Sequence, residues 1–357
     1  MTDDWHTDDF PELRAHPPWV MQEMIEAQPA LLERIATTSD TAALALLLKV
    51  DGPLTMVGCG TSEHAAMAAA EILTEAGTAA GSRQAYEAAL DPQQGGAVLG
   101  ISHEGGTWAT TEALEAARRA GSSTALITAR GESKATEQAD AVLVTPMVDR
   151  SWCHTVGYTS PIAATLALAA RPSPGVVEGL VTAGVSDRGS VTAVAEALNG
   201  CDHLIVVGSG ADRIAARELT LKIEEAAHIP TAMRDLETFL HGHLPACDER
   251  TGLVLIEHER RRSGPRRELG QMVLQASARV GVRCAVVGRQ APDRGMAAAG
   301  YVPTPAADAL PAAAAALLAT APAVQWLAHE LAVARGVNPD LIRREQEAYR
   351  EAAKFRG

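Results

Sequence analysis

Aromatic residues are scarce: tryptophan, tyrosine and phenylalanine together make up 3% of 357 residues. The core must then be built from aliphatic side chains and from helices packed closely through alanine, which favours a layered α/β architecture over an all-β sandwich. Cysteine is equally sparse. Cys59, Cys153, Cys201, Cys247 and Cys284 are odd in number, far apart and never spaced as CxxC, so neither a disulfide framework nor a zinc site is indicated, and a reducing compartment fits. Positive charge is in deficit, with 31 Lys and Arg against 44 Asp and Glu and a formal net charge of −13. Nucleic acid and anionic membrane surfaces both require a basic footprint, which leaves a small solute as the expected partner. No uninterrupted apolar run reaches the length of a membrane span, and the N-terminal MTDDWHTDDF is acidic and has no signal-like apolar stretch. A cytoplasmic protein is expected.

Hydrophobic residues, at 47%, suffice for two medium cores. Residues 1–48 read as an N-terminal helical arm, with apolar residues at helical spacing interrupted by Pro29. From Pro53 short apolar runs alternate with helical stretches: LTMVGCG, HAAMAAAEILTEAG, GAVLGIS, TTEALEAARRAG, TALITA and AVLVTP. This is the rhythm of a parallel sheet with helical crossovers. After RPSPG the rhythm restarts with HLIVVGSG, TGLVLIEH and RCAVVGR. The prediction is an α/β protein with two tandem three-layer units of the flavodoxin or Rossmann type, at 49–178 and 201–335. A helical connector at 179–200 joins them, and a polar tail at 336–357 follows as either solvated helix or partner-facing flap. The restart reads as duplication of one unit of about 150 residues.

Two turns attract attention as ligand sites. Gly58-Cys59-Gly60-Thr61-Ser62 and the segment ISHEGGT at 101–107 each follow an apolar strand and lead into a helix. Both therefore belong at the carboxyl edge of the sheet, where open α/β folds bind ligands, and the first is suited to an anion. A dinucleotide cofactor is not expected, because GCGTSE and GSGADR both lack the third glycine of GxGxxG, and no P-loop is present.

The ordered segments CGTSEHA, ISHEGGT, HTVGYT, ELTLKIEEAAHI and FLHGHLP resemble those of the SIS (sugar isomerase) family, in particular the isomerase part of glutamine:fructose-6-phosphate amidotransferases. The resemblance runs over roughly residues 20–345. It implies two tandem SIS domains, a sugar or sugar phosphate as ligand, no cofactor, no metal, and a homodimer with shared active sites. Met1 is followed by Thr2, so the glutaminase nucleophile of the amidotransferases is missing and no glutaminase activity is expected.

For individual residues, the resemblance implies that Glu225 shuttles the proton between C1 and C2, that Lys222 belongs to the same site, and that His241 opens the sugar ring of the neighbouring subunit's substrate. Substrate contacts are implied at Cys59, Gly60, Thr61, Ser62, Ser102, His103, Thr107, Asp149, Trp152, His154 and Thr155. Glu104 stands where the family has a phosphate-binding serine. A carboxylate there opposes a phosphate by about 1–4 kcal/mol at surface-site dielectrics, so the substrate is unphosphorylated or Glu104 turns elsewhere. The family's C-terminal lysine aligns with Glu347, and Lys354 is the nearest lysine.

Blander readings stand beside these. Lys222 and Glu225, at i and i+3, also fit a solvated helix pair. Thr61 and Ser62 fit helix N-caps, and Cys59 fits a small buried hydrophobe. His241 and His243 lack a third metal ligand, RRRSGPRRE at 260–268 fits a solvated helix start, and Trp326 fits core or dimer interface. The expected activity is isomerase, deaminase or deglycase chemistry on a sugar or aminosugar, through ring opening and enolisation. The competing class is a non-catalytic protein that senses a sugar derivative in the same cleft.

Overall fold

The computed structural model describes residues 14–356 apart from 48 and 262, so the acidic stretch at 1–10 lies outside the described residues. Among the described residues ten strands form two sheets. The first contains β1 (Leu54–Gly58), β2 (Ala80–Gln84), β3 (Ala97–Ile101), β4 (Ser123–Thr128) and β5 (Ala141–Val144), in the order β2-β1-β3-β4-β5. The second contains β6 (His203–Val207), β7 (Thr231–Arg234), β8 (Thr251–Glu257), β9 (Arg283–Gly288) and β10 (Gly300–Pro303). Read from β7, its order is β7-β6-β8-β9-β10, the same winding as the first. Every pairing is parallel.

Helices cover both faces of each sheet, which explains why strands such as AVLGI and TALIT are apolar on successive residues rather than alternately. The edge strands β2 (AGSRQ), β7 (TAMR) and β10 (GYVP) were not among the expected strands. They carry no buried apolar run, and β2 and β7 have no fully buried residue. Hydrogen bonds to the neighbouring strand define them, and hydrophobic patterning does not report such pairing.

The helix Ala312–Ala334 joins the two halves. Its residues from Ala312 to Ala332 are all buried. Its first part belongs to the core around β1, β3 and β4, and Val324 to Ala332 belong to the core around β6 and β8. Among the described residues it is the one helix long and apolar enough to cross a membrane, and its whole apolar window is buried inside the protein. Apolarity all round is what a central helix requires. Trp326, in its middle, is fully buried with the Arg188 guanidinium 4.0 Å from its ring centroid, so it belongs to the core.

Several helices lack a capping side chain of their own and receive a carboxylate from elsewhere. Glu75 accepts from the backbone N–H groups of Ala312 and Ala313, both at 2.7 Å. Glu33 accepts from Gly175, Val177 and Glu178 at the start of the helix Val176–Ser186. Asp340 accepts from Val20 and Met21 at the start of Val20–Glu26. Each carboxylate satisfies orphan amides and meets the positive end of a helix dipole. Glu75→Ala should therefore destabilise the fold by about 1–2 kcal/mol, as the loss of a good cap does. Urea denaturation checks this, and an unchanged midpoint would mean that Glu75 does not support the central helix.

Three sequence-based expectations are corrected. Pro29 does not break a helix but sits in the first turn of Gln28–Thr38, where its missing N–H is not needed. The connector is two helices, Val176–Ser186 and Gly189–Leu198, and begins inside the span assigned to the first unit. The tail is a solvated helix only at Glu347–Ala353, and before it Asp340 and Leu341 are buried, with Leu341 packed on Trp152.

Candidate active site

At the switch point of the first sheet, between the carboxyl ends of β1 and β3, the chain leaves an open cleft of about 770 Å³. Its floor follows from two glycines. A side chain on Gly58 would collide with the backbone of Ser62, so only glycine lets the first helical turn sit against the strand end. Gly60 has φ +56°, the left-handed region, and starts the helix Thr61–Glu75. Cys59, Gly60, Thr61 and Ser62 all line the cleft.

The β3 turn forms the opposite wall. Ser102 is buried, and its Oγ has no hydrogen-bond partner among the described residues. His103 and His154 lie with ring centroids 5.1 Å apart. The Nε2 of His103 accepts from the Asp149 backbone N–H at 2.6 Å, which places its ring proton on Nδ1. Burial pulls the pKa of His103 down, and burial together with His103 and Lys222 pulls that of His154 further down. Both rings are thus neutral at pH 7.

Asp149 itself does not face the cleft. Its carboxylate accepts from the backbone N–H groups of Ser151, Thr155 and Gly157, so it shapes the loop that holds Trp152 and His154. Thr155 is likewise buried, with its N–H on Asp149 and its carbonyl accepting from Gln325. Neither residue is among those lining the cleft.

The third wall comes from the second unit. Lys222 and Glu225, on the helix Ala211–Ala226, project into the cleft with Nζ to Oε2 at 2.5 Å. The Lys222 side chain is fully buried, and that of Glu225 is 25% exposed. This rules out the solvated-pair reading. Burial opposes the ammonium charge, but Glu225, with Cys153 and Glu218, outweighs it and holds the Lys222 pKa above the ordinary lysine value. The stabilisation from this cation is complete below pH 10.5 and fades only at higher pH. Behind it lies Glu218, wholly buried, 3.8 Å from Lys222 and 2.7 Å from Nδ1 of His64, and accepting from the Thr61 hydroxyl. Carboxylate, ammonium and carboxylate thus run in a line from the interior to the cleft.

Sequence reasoning missed Glu218, although it lies one turn before Lys222 on the same helix face. It also missed most of an aromatic lining, of which only Trp152 was expected. Tyr86, Trp108, Trp152 and Phe355 border the cleft, four of the twelve aromatic residues in the chain. Tyr86 and Trp108 pack with centroids 5.4 Å apart, and Arg344 lies 4.8 Å above the Trp152 ring. A surface of this kind suits the apolar faces of a sugar ring.

Other expected residues are placed differently. Glu104 lines the cleft, but its carboxylate pairs with Arg130 at 3.3 Å. Thr107, exposed at the start of the helix Trp108–Arg119, does line the cleft as expected. Lys354 pairs with Glu351 at 2.7 Å, while its neighbour Phe355 reaches the cleft. His241 lies in the π-helical turn Phe239–His243 with its side chain 83% exposed, and it is not among the residues lining the cleft of its own chain. Burial raises the pKa of the Cys59 thiol, which suits a packing residue better than a nucleophile.

The SIS domain family profile matches residues 47–171 and 197–291. No curated protein matches the sequence. Among solved structures, the C-terminal domain of glucosamine-fructose-6-phosphate aminotransferase from Francisella tularensis is similar over 90% of this chain and 98% of its own, with TM-score 0.77 and 18% identity. Tagatose-6-phosphate ketose/aldose isomerase from Escherichia coli covers 91% and 95%, with TM-score 0.76 and 20% identity. Glucosamine-6-phosphate deaminase from Thermotoga maritima covers 90% and 96%, with TM-score 0.69 and 19% identity. At these identities the likeness is one of fold.

Proposed function

The chain belongs to the SIS domain family, and from that premise we propose that it is an enzyme that binds a sugar or aminosugar in the first cleft and moves a proton between its first two carbons. The observation that carries this reading is the Lys222–Glu225 pair, a carboxylate reaching the cleft with its cation buried behind it. The similar structures named for ketose/aldose isomerase and aminosugar-phosphate deaminase activities support it.

In this reading Glu225 takes the proton from C2 of the open-chain aldose while the C1 carbonyl oxygen gains one, giving an enediol. Return of the Glu225 proton to C1, with loss of the proton on the C2 oxygen, gives the ketose. Lys222 holds the Glu225 carboxylate in position at the cleft through their ion pair. With an amino group on the substrate, the same enolisation leads to deaminase or deglycase outcomes. In the same reading His241, exposed on its turn and not among the residues lining the cleft of its own chain, acts in the cleft of a second copy within a homodimer.

The Glu104–Arg130 pair sets the preference at the β3 turn. The carboxylate at this turn occupies Arg130, which disfavours a phosphate there. Glu104→Ser should free Arg130 and tighten binding of sugar phosphates about tenfold relative to the unphosphorylated sugars, as one surface charge contact does. Titration of both ligand classes checks this, and an unchanged ratio would separate Glu104 from substrate choice.

The reading as a whole is tested by incubating the wild-type protein with aldoses, ketoses and aminosugars, phosphorylated and free, and following product by NMR and ammonia release. Interconversion or deamination of at least one sugar is expected. Tight binding without turnover of any would identify a sensor instead.

A further inference from the structure

The second sheet has its own switch point, and it is also hollow. Between the carboxyl ends of β6 and β8 lies a pocket of about 180 Å³, several times the space that one water needs. Ser209, Asp212, His258 and Ser263 line it, together with Arg266 and Arg289. Its entrance turn repeats the first: Gly210 has φ +64° and begins the helix Ala211–Ala226, and a side chain on it would strike Glu259 and Arg266.

Two buried polar groups in this pocket are only half satisfied. Asp212, 3% exposed, accepts through Oδ2 from the backbone N–H groups of His258 and Glu259, both at 2.8 Å, while its Oδ1 has no hydrogen-bond partner among the described residues. His258, 2% exposed, contacts Thr304 Oγ1 through Nδ1 at 2.7 Å, and its Nε2 has no such partner either. Leaving such groups unsatisfied costs about 1–3 kcal/mol each, and in folded proteins they usually have a partner.

The basic segment at 260–268 holds a helix start that is exposed at Ser263, Gly264 and Pro265, as its sequence suggests, but its described arginines are half-buried and paired. Arg266 pairs with Glu259 at 2.8 Å, Arg267 with Glu257 at 3.4 Å, and Arg261 with Glu259 at 2.7 Å while also reaching Glu71. Arg289 pairs with Asp308 at 3.5 Å. Among the described residues that line the pocket, Arg266, Arg267 and Arg289 each have a carboxylate, Arg289 sharing Asp308 with Arg260, and the three cations are matched by Asp212, Glu257 and Glu259 on the same wall.

We infer that this pocket is a second ligand site, for a small uncharged polyhydroxylated molecule, whose hydroxyls complete the hydrogen bonding of Asp212 Oδ1 and His258 Nε2. Hydroxyl groups donate and accept, so they satisfy a carboxylate oxygen and a ring nitrogen together without adding charge to a balanced wall. Ser209 and Ser263 supply further partners of the same kind. Burial raises the pKa of Asp212 to about 7 and lowers that of His258 to about 4, so neither presents a firm charge to select an ionic ligand.

The test uses crystals of the full chain soaked with xylitol, glucose or glucose 6-phosphate, alongside titration calorimetry of the wild type and Gly264→Phe. Gly264 lines the pocket, and a Cβ added there meets nothing within 4 Å, so phenylalanine can be placed at the pocket's edge to obstruct it, and a melting curve verifies that the fold is kept. The expected result is xylitol or glucose bound to Asp212 and His258, with one more molecule bound per wild-type chain than per variant chain, whatever the first cleft binds. Water alone on those two atoms, with equal stoichiometry in both proteins, would overturn the proposal. So would occupancy by glucose 6-phosphate but by neither uncharged polyol.

Discussion

Replacing Lys222 with methionine is expected to destabilise the protein by about 3–5 kcal/mol, the cost of breaking a buried ion pair from one side. The reason is the two carboxylates that the ammonium separates. Glu218 is fully buried 3.8 Å away on one side, and Glu225 lies at 2.5 Å on the other. Methionine matches the length of the side chain but leaves Glu218 with only His64 and Thr61, and Glu225 with solvent. Activity should fall with stability, because Glu225 loses the buried ammonium that positions its carboxylate at the cleft. Urea denaturation at pH 7, paired with turnover, measures both. A variant as stable as the wild type would show that Lys222 is not the electrostatic centre of the site.

The second large effect concerns His241. If the proposed homodimer shares its sites, neither Glu225→Gln nor His241→Asn should be active alone, yet co-expressed chains should recover about a quarter of wild-type activity, because half the dimers then hold one complete site of two. In the other site of a mixed dimer both groups are lost. The basis is geometric: Glu225 lines the cleft, while His241 is 83% exposed on a turn outside it. No recovery on mixing would mean that the sites are not shared. Full activity of His241→Asn alone would remove the residue from the chemistry.

The sequence conveyed the fold where burial is reported by hydrophobic runs. GAVLGI and HLIVV mark strands covered on both faces, and the Gly58 and Gly208 turns mark where each sheet meets a helix. It was silent on AGSRQ and TAMR, whose strand character comes from backbone pairing along β1 and β6. In the site, Lys222 and Glu225 were legible through their spacing and a family likeness. That Lys222 is buried was not, because ELTLKIEE reads as amphipathic until Ala312–Ala334 packs against its helix. Long-range partners were hidden for the same reason. Glu104 looked like an obstacle to phosphate, and Arg130, 26 residues away in sequence, is what decides its effect. Tyr86, Trp108 and Phe355 lie on three different elements, and only the folded chain assembles them at one cleft.

The central claim is that Glu225 transfers a proton at the sugar's second carbon. It is tested most directly by incubating the wild type and Glu225→Gln with a bound sugar in D2O and reading deuterium at C2 by NMR. The wild type should incorporate deuterium, and the variant should bind the same sugar while exchanging about 10²–10⁴ times more slowly, the usual contribution of a positioned general base. Equal exchange by both proteins, or none by the wild type with any sugar that it binds, would contradict the account.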